Sequence, residues 1–217
     1  MGIVVIALLS YLAGSAPTAF LVGRARGLDI RKLGSGNSGA TNALRVLGPA
    51  AALAVLAVDA GKGALAVLAI APLATSFLPT AFGWAATIPD TAMRAVAGSA
   101  CILGHVFPVW LRFKGGKGVA TGAAVVAALA PGAAIACLAV FAAALALTRY
   151  VSLGSVAAAL ALPAAYAGLY RGEAFSPWLF WFFSAAAALV VAMHRKNLAR
   201  LAGGTEPRLG EEKRPRP

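Results

Sequence analysis

The apolar runs of this chain constrain its fold more than any other feature. They cover residues 3–22, 50–71, 92–103, 119–130, 133–147, 151–169 and 175–193. With 60% hydrophobic and 12% charged residues and a mean hydropathy of +0.82, too little polar surface remains to cover a globule in water. The chain therefore reads as an all-α integral membrane protein. Its 217 residues, at about 20 per span, allow roughly five to seven transmembrane helices. These are expected to form one domain over residues 1–206, with a Pro/Arg-rich tail at 207–217 expected to be disordered.

The first run lacks a basic leader, and Arg24 and Arg26 follow it, so it reads as a retained helix rather than a cleaved signal. Ile6 stands where a myristoylation pattern needs Ser or Thr. Cys101 and Cys137 lie far apart without metal-binding spacing and read as packing residues. A formal charge of +12 would point a soluble protein towards nucleic acid. Here the basic residues flank apolar runs without interleaved aromatics, so membrane orientation explains them and no nucleic-acid partner is expected.

Arg24, Arg26, Arg31, Lys32 and Arg45 lie between the first two runs, whereas the connection over residues 72–90 has no Lys or Arg. The positive-inside rule puts the first connection in the cytoplasm and the N-terminus outside. Residues 119–147 suit either one tilted helix or a hairpin broken at Pro131-Gly132. Only the hairpin brings Arg149 and the basic end of the chain to the same side as the first connection. The expected topology is accordingly seven helices with a cytoplasmic C-terminus.

Polar chemistry concentrates in three islands. In the first, the loop from Gly34 through Ser35, Gly36, Asn37 and Ser38 to Asn42 leads into a helix reaching Arg45. Glycine lets several backbone N–H groups approach an anion, and the helix N-terminus adds a favourable dipole. The second island runs from Gly104-His105 through Arg112 and Lys114 to Gly115-Gly116-Lys117-Gly118. It has phosphate-loop physics, but Gly118 stands where a Walker A motif needs Ser or Thr for magnesium. An interfacial loop touching anionic lipid is the plain alternative for its cations. In the third island, His194 and Asn197 share a helix face, Arg195 and Lys196 read as a snorkelling helix end, and Glu206 follows as a salt-bridge partner. Asp59 and Lys62 sit inside an apolar run, as an internal ion pair or as a source of positive field.

Together the islands resemble the bacterial acyl-phosphate-dependent glycerol-3-phosphate acyltransferases. The residues that carry the resemblance are Gly-Ser-Gly-Asn-Ser-Gly-Ala-Thr-Asn at 34–42, Gly-His-Val-Phe-Pro and Gly-Gly-Lys-Gly-Val-Ala-Thr within 104–121, and His-Arg-Lys-Asn with Gly-Thr-Glu within 194–206. Trp110 and Leu198 depart from the usual residues of the family. The resemblance implies transfer of an acyl group from a long-chain acyl phosphate to the 1-hydroxyl of sn-glycerol 3-phosphate, giving lysophosphatidic acid and phosphate. It implies a multi-pass protein of the bacterial cytoplasmic membrane, in contact with membrane lipid, with its site facing the cytoplasm. A soluble acyl-phosphate-producing enzyme is a further partner by analogy.

Resemblance and chemistry together assign glycerol 3-phosphate to Lys114, Gly115, Gly116, Lys117 and Gly118 with Arg45 and Asn42. The loop of Ser35, Gly36 and Asn37, with His194 and Asn197, is expected to hold the acyl phosphate and stabilise the oxyanion. Asp59, Lys62, His105 and Glu206 are supporting residues. Three routes stay open: proton transfer to a donor phosphate oxygen, proton transfer to His194, and, last, covalent catalysis through an acylated Ser35, which lacks a nucleophile-elbow context. The scarcity of Asp and Glu argues against a metal or other cofactor and against a CDP-alcohol phosphotransferase. The rival class is a transporter of a phosphate-bearing or lipid anion, for which glycine-broken helices and intramembrane charge would suit.

Overall fold

The computed structural model describes residues 2–73, 75–76 and 89–211, and among these it contains helices and turns and no strand. Helix α1 (Gly2–Gly14) and α2 (Thr18–Arg24) form one crossing, interrupted at residues 15–17, where Pro17 has no N–H to continue the ladder. Then come α3 (Ala40–Leu47) and α4 (Pro49–Leu65), the latter extended by a π turn over Ala66–Ile70. Beyond the undescribed connection lie α5 (Asp90–Val106), α6 (Val119–Leu129), α7 (Pro131–Thr148), α8 (Val151–Leu169), α9 (Pro177–Met193) and α10 (Arg195–Ala202).

Five segments of the described residues are long and apolar enough to cross a membrane: Gly2–Arg24, Pro49–Leu73, Asp90–Leu111, Pro131–Thr148 and Val151–Leu169. The α9–α10 pair, bent by 54°, makes a sixth. The expected break near Pro131 is present, because α6 stops at Leu129 and Pro131 begins α7, where a missing N–H is no loss. The expectation of seven spans meets a shorter element there, since α6 has only 11 residues.

That shortness matters for the site. The α6–α7 turn is held at the far end of α8, where Gly132 N donates to Tyr170 Oη at 3.2 Å. From that end, α7 and α8, of 18 and 19 residues, extend about 27–28 Å, while α6 extends about 16 Å. The chain between α5 and α6 folds back onto the end of α5 before the first turn of α6, where Gly116 and Gly118 are buried.

Packing among the crossings depends on close backbone approach, because apolar side chains gain little by leaving lipid for one another. A Cβ on Gly14 would strike the Cys101 carbonyl, and one on Gly104 would strike the Tyr11 carbonyl, so α1 and α5 touch at their backbones. At the far end, Tyr166 and Phe183 are buried between α8 and α9, with Tyr170 stacked at 4.9 Å on Tyr166. Large apolar residues such as Leu147, Ile135 and Trp178 face outward, the pattern of a lipid-facing surface. Residues 207–211 of the tail lie against the α7–α8 turn, where Leu209 N donates to Arg149 O at 2.7 Å and Arg149 Nη2 returns a bond to Leu209 O at 2.7 Å. The rest of the tail expected to be disordered, residues 212–217, lies outside the described residues.

Candidate active site

The first island closes on itself through one asparagine. Asn42, in the first turn of α3, donates from Nδ2 to the carbonyls of Ile30 (3.1 Å) and Leu33 (3.2 Å) and accepts from Ser35 N (2.8 Å) at Oδ1. Gly34 has a φ of +60° and leaves no room for a side chain against Asn42 Oδ1. The sequence pointed to Asn42 as a phosphate ligand; here its amide nitrogen donates to two loop carbonyls. Ser35 and Gly36 are exposed and Asn37 is half-buried, beside an α3 N-terminus that has no side-chain cap.

The second island is the segment that dips into the bundle. Gly115 N donates to Val106 O and Gly116 N to His105 O, both at 3.0 Å, which folds the loop onto the end of α5. A Cβ on Gly116 would collide with the His105 ring. Gly118, in the left-handed region at φ +79°, starts α6 without a side-chain cap, so the first N–H groups of that helix and its dipole are available to an anion. Lys114 is exposed on the preceding turn and is not gathered into the cluster described next.

Lys117 joins the second island to the third. Its Nζ donates to Asn197 Oδ1 at 2.6 Å, and Asn197 Nδ2 donates to Glu206 Oε1 at 2.6 Å. Glu206, 5% exposed, also accepts from Ser152 Oγ at 2.7 Å and pairs with Arg200 at 2.7 Å. Arg45 of the first island reaches Pro207 O at 3.4 Å. The three islands thus meet at one end of the bundle. Burial pushes the Lys117 ammonium down to about 8, and nearby Arg200 and Arg45 add to this, while Glu206 opposes it. The Glu206 carboxyl is held below the ordinary range by hydrogen bonds from Asn197, Ser152 and Arg200, which outweigh its burial.

His194, 2% exposed, sits at the bend between α9 and α10. Its Nδ1 lies 2.7 Å from Val190 O, which calls for the proton on Nδ1 and leaves Nε2 as an acceptor. Arg195 and Lys196 are exposed. Asn197, expected to stabilise an oxyanion, accepts from Lys117 and donates to Glu206 in this structure. Two members of the cluster were missed from sequence. Ser152 looked like an ordinary residue of an apolar run, although Ser152 and Ser155 follow Arg149 closely and are both buried. Arg200 looked like one more basic residue of the C-terminal end, and its six-residue spacing to Glu206 becomes a contact only because the chain turns at residues 203–204.

A second polar cluster lies behind the loop. Asp59 Oδ1 is 2.9 Å from Lys62 Nζ, accepts from Thr18 Oγ1 at 3.0 Å, and is 3.6 Å from His105 Nδ1. Lys62 also donates to Ala16 O at 3.1 Å, which favours the ion-pair reading over a contribution to the site's field. A small cleft beside this cluster is lined by Asp59, Lys62, His105, Gly116 and Ser38. Among the described residues, no three His, Cys, Asp or Glu side chains group closely enough to hold a metal ion.

Membrane-crossing helices that gather glycine loops, two uncapped helix N-termini and several cations at one end define a polytopic membrane protein with a cationic polar end. The glycerol-3-phosphate acyltransferase family model matches residues 4–204, and the chain belongs to that family. It is similar to the glycerol-3-phosphate acyltransferase of Synechococcus sp. (strain CC9902), at 43% identity over 206 residues covering 94% of both chains. The enzyme of that name from Chlorobaculum parvum is 40% identical over 220 residues, covering 93% of this chain and 94% of its own. The crystal structure of PlsY, an integral membrane glycerol 3-phosphate acyltransferase, in its glycerol 3-phosphate form superposes with a TM-score of 0.79 at 32% identity, over 97% of this chain and 96% of that one. A lysophosphatidic acid form of PlsY superposes with a TM-score of 0.77. The protein is accordingly a multi-pass membrane acyltransferase.

Proposed function

We propose that the protein transfers a fatty acyl group from a long-chain acyl phosphate to the 1-hydroxyl of sn-glycerol 3-phosphate, forming lysophosphatidic acid and inorganic phosphate. The observation that carries this reading is the Lys117–Asn197–Glu206 chain, with Arg200 and Arg45 beside it, next to the uncapped start of α6. Its excess of cations over carboxylates suits a phosphate that is not part of the protein. The glycerol 3-phosphate and lysophosphatidic acid forms of the related PlsY support the same acceptor and product here.

In this reading the acceptor phosphate lies on Lys117, Arg45 and the Gly115–Gly118 backbone. The donor phosphate lies on the Ser35–Asn37 loop and the start of α3, and the acyl chain extends between helices into lipid. The acceptor hydroxyl attacks the acyl carbonyl, the bond from the carbonyl carbon to the phosphate oxygen breaks, and phosphate leaves. The hydroxyl proton passes to an oxygen of the departing phosphate. His194 is the second acceptor for that proton, because its Nε2 is left unprotonated by the Nδ1 contact to Val190. Both substrates are anionic, so bringing them together in a site of low dielectric depends on fixed cations and oriented N–H groups.

The same reading places the three islands at the cytoplasmic face of the cell membrane. Seven helical passes, α6 counted as a short one, leave the N-terminus outside. Exposed Arg24, Arg31, Lys32, Arg112, Lys114, Arg195 and Lys196 are proposed as the basic surface on which a soluble enzyme delivering acyl phosphate docks. The test is phosphate release by the lipid-reconstituted protein given palmitoyl phosphate, with and without glycerol 3-phosphate, and with palmitoyl-CoA as rival donor. Acceptor-dependent release from acyl phosphate is expected. Product formed from palmitoyl-CoA instead overturns the donor, and no product from either overturns the reaction.

A further inference from the structure

We infer that Asp59 is a positioning residue for the acceptor site, acting through His105 on the backbone of the Gly115–Gly118 loop. This rests on the reading that the loop, with Lys117, holds glycerol 3-phosphate. A buried ion pair is by itself a poor device for stability, because desolvating two charges costs about as much as their attraction returns. The placement of the pair in this protein is more informative. Asp59 Oδ1 gathers Thr18 of α2, Lys62 of α4 and His105 of α5, and the Asp59 carbonyl accepts from Thr121 Oγ1 of α6 at 2.8 Å. One residue thus ties four helices where the chain turns into the phosphate loop.

His105 makes the connection to that loop. Its ring Nδ1 faces Asp59 at 3.6 Å, its carbonyl accepts from Gly116 N at 3.0 Å, and its ring lies where any side chain on Gly116 would go. The loop backbone therefore rests directly on the imidazole. Lys117 follows at the next position, half-buried, with its ammonium aimed at Asn197. A shift of the imidazole moves Gly116 and carries Lys117 away from the acceptor phosphate, whereas the donor's loop around Ser35 has its own support in Asn42. The link predicts a selective defect in acceptor binding.

The experiment is calorimetric titration of glycerol 3-phosphate into the lipid-reconstituted protein, paired with steady-state kinetics. The variants are Asp59→Asn, His105→Asn, His105→Leu, Asp59→Asn/His105→Leu and Lys117→Ala. His105→Asn retains a donor near the Nδ1 position, and His105→Leu retains bulk without one. Asp59→Asn and His105→Leu are expected to weaken acceptor binding and raise its KM about tenfold, with the donor KM unchanged. His105→Asn is expected to recover most of that loss. The double variant should be no weaker than the worse single one, as residues acting along one path are not additive.

Equal losses in His105→Asn and His105→Leu, additive losses in the double variant, or a parallel rise in both KM values would overturn the inference. Should Asp59→Asn not fold, the two His105 variants decide the outcome alone. Weak binding by Lys117→Ala beside normal binding by the Asp59 and His105 variants removes this inference and keeps the acceptor site. Normal binding by Lys117→Ala removes both.

Discussion

Two clusters in this protein handle buried charge in opposite ways. Around Asp59, one carboxylate meets one ammonium, 2% and 7% exposed, and the remaining hydrogen bonds go to a threonine and a carbonyl. Around Glu206, one carboxylate faces Arg200 directly and Lys117 through Asn197, while Arg45 is tied to the neighbouring Pro207. The first cluster is balanced and asks nothing from outside. The second has three cations for one carboxylate, the imbalance on which the proposed phosphate site rests. Both kinds of charge are placed by the same helices, and the balance of signs separates a cluster satisfied within the protein from one proposed to take a substrate.

The sharpest way to break this comparison is to unbalance the first cluster. Lys62→Met leaves Asp59 buried without its cation and is expected to cost about 3–5 kcal/mol, read as a lower melting temperature in lipid. Asp59→Asn/Lys62→Met should recover most of that loss, and an equally large loss in the double variant would show that packing, not charge, is at stake. In the second cluster, removing a cation should instead leave folding intact. Lys117→Ala is expected to raise the KM for glycerol 3-phosphate about 10–100-fold, the equivalent of roughly 1.5–3 kcal/mol for a charged hydrogen bond, with little change in melting temperature.

Asn197→Ala should give a smaller rise in the same KM, about tenfold, because it removes the group that orients Lys117. A fall in kcat alone would return Asn197 to the oxyanion. The pH profile sharpens the comparison further. Lys117 has a pKa of about 8, so the amine loses its proton above that pH and its attraction for phosphate goes with it. The expected kcat/KM for glycerol 3-phosphate is level between the second ionisation of its phosphate and pH 8 and falls about tenfold per unit above pH 8, and Lys117→Arg should flatten the fall. Glycerol 3-phosphate is already dianionic there, since its second ionisation lies near 6. The smallest effect belongs to Arg195→Gln and Lys196→Gln, exposed positions outside the cluster, where kinetic constants should move less than about twofold.

Much of the architecture was legible beforehand. The six long or bent crossings coincide with apolar runs, and the break before Pro131 follows from the missing N–H of proline. The interruption at residues 15–17 falls inside the first apolar run, where Pro17, flanked by Ser15 and Thr18, is its mark in the sequence. The shortness of α6 was visible as a short run, but its consequence, a loop drawn into the bundle, required the anchor between Gly132 and Tyr170.

The site divides along the same line. The islands were readable because lipid makes every polar residue near it costly, so their positions along the chain already implied a shared polar end. The roles of particular side chains were not readable. Asn42 and Asn197 carry the same amide, yet one bonds loop carbonyls nine to twelve residues away and the other accepts from Lys117, 80 positions away, and donates to Glu206.

By itself the sequence determined the solvent of this protein and the rough extent of most of its apolar helices. Those properties depend on the transfer of short segments between water and lipid, which neighbouring residues set locally. Tertiary structure alone decided that Ser152 joins Glu206, that Asn197 orients Lys117, and that Asp59 stands behind the loop beside His105. Hydrogen bonds form within about 3 Å, and only the packing of distant helices determines which groups come that close.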